Sequence, residues 1–335
     1  VDNKLLLQYT DTVNFDPPLL TGAPGLLVWG GNWNEEIGAK YTEVSFDNVS
    51  ITPLTPKRVF IIVPGFGGSL DLPSLLSCTL DTTSKEWALA PYAKVYDRLI
   101  STFSGNGFQQ DADFYVYAYD WRQAMPLQAD LLKFYLDDKI KAAQTELNFI
   151  AHSLGGLVVR SFLDKYGDKY NINKVITLGS PHLGTPLAYP IWEGGLVEYN
   201  DKTIKLAIDT LLNYCQMKLV KDDKSIIRAL IPSMKDLFPV FPFLLNEKNE
   251  LIPVSETGNQ NLWLQNLNAS NNNFITTAIS GNNISTVDSI RIDNTDAEDV
   301  WPDGKPVENI KTPTGDVTIL LKSAVLPNFD SIIID

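Results

Sequence analysis

Histidine, cysteine and methionine are scarce in this chain: two, two and three among 335 residues. Two cysteines allow one disulfide at most and exclude a thiol-rich metal site. Cys215 falls on a helical apolar stripe (Ile204, Ala207, Ile208, Leu211, Leu212, Cys215, Leu219). Free cysteine is among the most buried residue types, so the stripe predicts a buried thiol, with a Cys78–Cys215 bridge the less favoured alternative. Basic residues are also in deficit. Lys and Arg number 27 against 40 Asp and Glu, a formal net charge of −13, which argues against nucleic acid as a partner because phosphates select Lys and Arg. No apolar run approaches the roughly 18 residues that a membrane-spanning helix needs. The sequence opens at Val1 without an initiator Met or a signal peptide, as a mature form or a fragment would. Three sequons (Asn48-Val-Ser50, Asn268-Ala-Ser270, Asn283-Ile-Ser285) fit a secreted, extracellular or cell-surface protein, although an Asn-rich chain also produces such triplets by coincidence.

Apolar material is not lacking, at 44% of residues, ample for a large core. Residues 1–57 carry short alternating runs (Leu5–Tyr9, Leu26–Trp29, Thr42–Phe46) between Pro, Gly and Asn. They predict a β-rich N-terminal segment. From residue 58 the runs Val59–Val63, Phe114–Ala118, Leu147–Ala151, Lys174–Leu178, Phe274–Ile279 and Ser331–Ile334 are short and nearly continuous. Such runs suit strands buried on both faces of a parallel sheet. Helical segments such as Leu127–Gln144 and Leu154–Tyr166 lie between most of them, so a doubly wound α/β core over 58–186 and 271–335 is expected. The interval 187–270 is too long for one crossover. It holds an amphipathic helix (203–219) and the stretch Phe238-Pro-Val-Phe-Pro-Phe243, and is read as an inserted cap or lid. Its apolar inner face, with Phe238, Phe241 and Phe243, is expected to line a substrate pocket.

The sharpest motif is Asn148-Phe-Ile-Ala-His-Ser153-Leu-Gly-Gly-Leu157. An apolar strand runs into a small-residue turn carrying serine, and a helix follows at once: a nucleophile elbow, with Ala151 where glycine is usual. A second strand ends in Val63-Pro-Gly-Phe-Gly-Gly-Ser69. Glycines there let backbone amides approach a ligand, and in an α/β-hydrolase the loop supplies half of an oxyanion hole. Phe66 and Leu154 are the expected donors. A phosphate loop is the rival reading, and no Gly-Lys-Ser/Thr follows to support it.

The run Ala118-Tyr-Asp-Trp-Arg122 resembles the Tyr-Asp-Trp-Arg signature of the lecithin:cholesterol acyltransferase family. In the same order come Val63–Ser69, Tyr96-Asp-Arg-Leu-Ile100, the Ser153 turn, Leu178-Gly-Ser-Pro-His-Leu-Gly-Thr-Pro186 and Ile231-Pro-Ser-Met-Lys-Asp-Leu-Phe-Pro239. Thr314-Gly-Asp-Val-Thr-Ile319 is similar to the family's Gly-Asp-Gly-Thr-Val, with Val317 in place of glycine. The resemblance covers about residues 58–335. It implies an α/β-hydrolase fold, acyl transfer through Ser153, Asp316 as the acid of the triad, and no metal or organic cofactor. Asp288, Asp293, Asp299 and Asp303 are the fallback acids. Asp120 and Arg122 fit a structural pair, and Trp121 is expected to line the acyl or head-group pocket.

Histidine is where the pattern falls short. A serine nucleophile needs a general base, and the chain has only His152 and His182. His152 precedes Ser153 and is expected to point away in a packing role. His182, after the Lys174–Leu178 strand, is the possible substitute base. The family's histidine follows the last strand, so the expected reading is a triad histidine absent from this chain, which would then be inactive or nearly so as given. The function expected is that of a lipase, phospholipase or acyltransferase on lipid esters, meeting membranes or lipid aggregates transiently. The alternatives are a catalytically degenerate lipid-binding module and a carboxylesterase of soluble esters.

Overall fold

A computed structural model describes residues 57–81, 86–140, 145–197, 202–270, 274, 276–293 and 301–335. The strands expected within 1–57, and Asp299, lie outside these residues. In chain order the strands are β1 (Arg58–Val63), β2 (Ser69–Leu70), β3 (Ala88–Leu89), β4 (Phe114–Val116), β5 (Glu146–His152), β6 (Asn171–Leu178), β7 (Leu244–Leu245), β8 (Leu251–Ile252), β9 (Thr276–Gly281), β10 (Thr286–Asp293), β11 (Lys305–Thr312) and β12 (Asp330–Ile334). The helices are α1 (Leu72–Leu76), α2 (Val95–Gly105), α3 (Met125–Lys139), α4 (Leu154–Tyr166), α5 (Ala188–Gly194), α6 (Lys202–Leu219), α7 (Asp223–Leu230), α8 (Ser233–Asp236), α9 (Leu262–Ala269) and α10 (Leu321–Ala324).

All six apolar runs become strands of one sheet, ordered β12-β9-β6-β5-β1-β4, and every neighbouring pair is parallel. Burial explains the composition: Ile61, Ile62 and Val63 of β1 and Leu147, Phe149 and Ala151 of β5 are inaccessible or nearly so. With helices packed on the sheet, this is the α/β-hydrolase architecture. The order also locates a site. From β1 the chain moves outward to β4, then crosses back to β5 on the other side of β1. Ligands bind at such a reversal, beyond the carboxyl ends of the strands. The segments leaving β1 and β5 there are Pro64–Ser69 and the turn at Ser153.

Two features differ from expectation. A second, four-stranded sheet, β11-β10-β7-β8, forms from residues 244–312. β7 and β8 have two residues each, too few to leave a periodic signal, and β11 is mostly polar and exposed. The cysteines are also not free: Cys78 and Cys215 form a disulfide with Cα atoms 5.6 Å apart, 137 residues apart in sequence. The α6 stripe does bury Ile208, Leu211, Leu212 and Cys215. What buries Cys215 includes the end of α1, which brings Cys78 with it, a pairing that helical periodicity cannot reveal.

Candidate active site

Ser153 joins β5 to α4 at φ 50° and ψ −123°, a left-handed conformation costly for any residue but glycine. Neighbours hold it there. Its N–H donates to Leu178 O at 2.9 Å, and α4 runs against the end of β1 so closely that a Cβ on Gly155 would lie 2.5 Å from Val63 O. Strain of this kind persists only where the surroundings over-determine it. Leu154 N stands in the first turn of α4, where a helix offers no internal acceptor. Phe66 and Ser153 share the wall of one pocket.

Asp316 sits in a turn packed against the carboxyl ends of β6 and β9. A Cβ on Gly179 would be 2.9 Å from its Oδ2, and one on Gly281 would be 2.8 Å from its Cβ. Its Oδ1 accepts from Thr318 N at 3.0 Å and Ile319 N at 2.7 Å, which fixes the carboxylate and leaves Oδ2 toward the strand ends. Thr318 and Ile319 line the Ser153 pocket. The turn is itself strained, with Val317 at φ 87°. The fallback acids are placed otherwise: Asp288 pairs with Lys322 at 2.7 Å, Asp293 ends β10, and Asp303 accepts from Gly258 N at 2.6 Å.

Neither histidine bonds to Ser153 Oγ. His182 is fully buried, its Nε2 3.2 Å from Thr177 Oγ1 and its ring edge-on to Phe329 at 5.0 Å. Burial, and then the nearby Arg160, hold its pKa well below the ordinary value. This geometry gives no support to His182 as a substitute base. His152 Nδ1 lies 2.8 Å from Tyr96 Oη, a polar contact rather than simple packing.

The pocket beside Ser153 is small, about 30 Å³, and apolar. Beyond Phe66 and Ser153 its walls are mainly Leu187, Ala188 and Ile191 from α5 and its approach, and Met234 and Leu237 from α8 and its end. These residues lie within 187–270, but the expected aromatics do not face the pocket. Phe238 and Phe243 are buried around Tyr189, at ring distances of 6.3 and 5.8 Å, where complete burial gains most for large rings. Phe241 lies under the Lys322 ammonium at 4.3 Å. Trp121 is likewise behind the site rather than in it. A buried indole N–H needs an acceptor, and Trp121 Nε1 donates to Ser69 O at 3.0 Å while its ring packs on Phe66 at 4.4 Å. Asp120 and Arg122 form the expected pair, buried and two-pronged at 2.7 and 2.8 Å.

A larger cavity of about 220 Å³ lies beside α3, lined by Asp81, Trp87, Tyr117, Phe134 and Tyr135. It contains neither Ser153 nor Asp316, so the chemistry is assigned to the smaller pocket.

The family model for lecithin:cholesterol acyltransferase matches residues 79–300. The chain belongs to the lecithin:cholesterol acyltransferase family. A curated member, lecithin-cholesterol acyltransferase-like 4 of Arabidopsis thaliana, is 30% identical over 96 residues, which is 27% of this chain and 18% of that protein. The chain thus matches under a fifth of that relative's length. Among solved structures, the mature lipase BlEst2 of Bacillus licheniformis is 14% identical, with 85% of this chain and 86% of that one covered and a TM-score of 0.43. Phospholipase PlaB of Legionella pneumophila is also 14% identical, over 68% and 40% of the two chains, with a TM-score of 0.37. Within the family frame, sequence reasoning missed the aliphatic pocket wall and Tyr96. The only signal for Tyr96 was its place in a stretch shared with the family.

Proposed function

We propose that the chain is a serine esterase or acyltransferase of lipid esters that works through an acyl-Ser153 intermediate. One observation carries the reading: Ser153 stands in a strained turn where the strand order reverses, and an apolar pocket there is shared by Phe66 and the turn of Asp316. Ser153 Oγ attacks the ester carbonyl carbon, and the carbonyl electron pair moves to an oxygen held by the Phe66 and Leu154 amides. The serine proton passes to an imidazole oriented by Asp316. Collapse breaks the ester C–O bond, the leaving alcohol takes that proton, and water or another alcohol then accepts the acyl group. Both histidines of the chain are engaged elsewhere. The base is therefore proposed to come from outside these 335 residues, docking at the Oδ2 side of Asp316.

A pocket of about 30 Å³ admits little more than a water molecule or two, so an acyl chain requires movement of its walls. Residues 187–270 are proposed as that movable cap, α5 and α8 lifting on the microsecond-to-millisecond scale typical of lids. The disulfide supports an oxidising, extracellular or cell-surface setting. The rival reading, a non-catalytic lipid-binding module, is favoured by the absence of a histidine bond to Ser153.

The test supplies the base. With free imidazole added, a fluorophosphonate probe is expected to label the peptide containing Ser153, and Ser153→Ala to abolish the label. Labelling that survives the substitution would move the nucleophile elsewhere. No labelling, with imidazole present and the fold intact, would favour the binding module.

A further inference from the structure

The loop between β1 and α1 is tied down almost peptide by peptide. Tyr119 Oη donates to Pro64 O at 3.0 Å, Tyr92 Oη donates to Gly67 O at 3.0 Å, and Trp121 Nε1 donates to Ser69 O. These contacts all hold carbonyls. One side chain holds an amide: Gly65 N–H donates to Tyr96 Oη at 2.8 Å, while Gly68 N–H donates within the loop to Gly65 O. Tyr96 is also the one of these residues that reaches the Ser153 turn, through His152 Nδ1 at 2.8 Å. The loop and the turn meet here, since a Cβ on Gly65 would be 2.9 Å from Ser153 Cβ and 3.0 Å from His152 Nδ1.

The bond directions follow from counting protons. A phenol has one O–H. Tyr96 Oη accepts from Gly65 N, and His152 Nδ1 is the acceptor at hand for its own proton, so we assign Nδ1 as the acceptor with the ring proton on Nε2. The surroundings favour that state. Burial pushes the Tyr96 phenol up to about 12, against a smaller downward pull from the Gly65 amide. Burial also holds the His152 imidazole below its ordinary value, against a smaller upward pull from Asp316. Tyr96 from α2 and Asp316 from the 313–320 turn are the titratable groups that bear on His152.

We propose that Tyr96 and His152 are positioning residues: their hydroxyl–imidazole pair locks the Gly65 amide, and with it the Phe66 donor, to the residue next to Ser153. The inference rests on the acyl-Ser153 reading and deepens it. Preorganised donors act by standing where charge develops before the reaction begins. A loop free to rotate at Gly65 would lose that placement without losing the pocket. Acid should unlock it, since protonated Nδ1 becomes a donor and the phenol proton is left without its acceptor.

Two measurements on the full chain test this, one of them independent of turnover. Tyr96→Phe keeps the ring and removes the hydroxyl; His152→Leu removes the acceptor; His152→Asn retains an acceptor oxygen near the place of Nδ1. Hydrogen exchange of the Gly65 and Phe66 amides is expected to speed up about tenfold or more in Tyr96→Phe and His152→Leu, with His152→Asn recovering most of the protection. With imidazole supplied, kcat for an ester should fall about tenfold in the first two variants, less than the 10²–10³ for losing an oxyanion donor outright. KM should change less than twofold, and His152→Asn should lose the acid limb of the loop's exchange profile. Wild-type exchange and kcat in Tyr96→Phe would overturn the inference. If wild type shows no turnover dependent on Ser153, the nucleophile reading falls, while the exchange measurement still decides this one.

Discussion

His182 shows what a buried titratable residue costs a fold. It is fully buried, Nδ1 has no protein partner and Nε2 meets only Thr177. Its folded pKa lies well below the ordinary 6.5, so the unfolded chain takes up a proton near pH 6.5 that the folded chain refuses. The sign is fixed by that difference. Stability is fully present above pH 6.5 and falls as pH drops below it, by about 1.4 kcal/mol per unit for one such group until its folded pKa is reached. His152, lowered less, acts in the same direction. In urea denaturation between pH 4 and 7, His182→Gln is expected to have a shallower acid loss than wild type; identical slopes would place the proton uptake elsewhere. Asn268 is equally committed. Its Oδ1 accepts from Arg160 and its Nδ2 donates to His182 O, so that sequon is not a free glycan acceptor.

Among the elements, the disulfide joins the end of α1, just past the Gly65–Gly68 loop, to α6 in the 187–270 segment. The link closes a loop of 137 residues, and a bridge over a loop this long stabilises by about 4–5 kcal/mol in the chain-entropy account. The Cys78→Ser, Cys215→Ser double variant is accordingly expected to melt at a clearly lower temperature than the oxidised wild type, and reduction of wild type should shift the transition the same way. A melt unchanged by both treatments would mean that the bridge merely records contacts made without it. The link also bears on the proposed cap: α5 and α8 line the Ser153 pocket, whereas α6 is tethered to the core. Movement is therefore expected in the short helices rather than the long one.

At the level of the whole molecule, the net charge of −13 bears on the proposed encounter with a lipid surface. A surplus of that size repels anionic membranes over a distance set by salt, about 10 Å at 0.1 M. Binding to vesicles of anionic phospholipid is expected to be weak at low ionic strength and to strengthen on adding salt, with little salt effect on zwitterionic vesicles. Sedimentation of the full chain with each vesicle type decides it, and anionic binding weakened by salt would point to a local basic face that outweighs the total. Among the described residues no helix is long and apolar enough to cross a membrane.

The sequence by itself determined the six parallel strands and the Ser153 turn, because both depend on neighbours in the chain. A strand buried on both faces must be a short apolar run, and a strand–turn–helix junction must carry small residues where backbones meet, as at Ala151 and Gly155. The turn of Asp316 was legible for a different reason, a family motif. Only the tertiary structure decided the contacts made at long range. Cys78 meets Cys215 across 137 residues, and Tyr96 meets His152 across 56. Leu237 rather than Phe238 faces the pocket. Periodicity reports which residues are buried but not what buries them, so the expected aromatic lining became core and a histidine expected to pack became a hydrogen-bond partner of Tyr96.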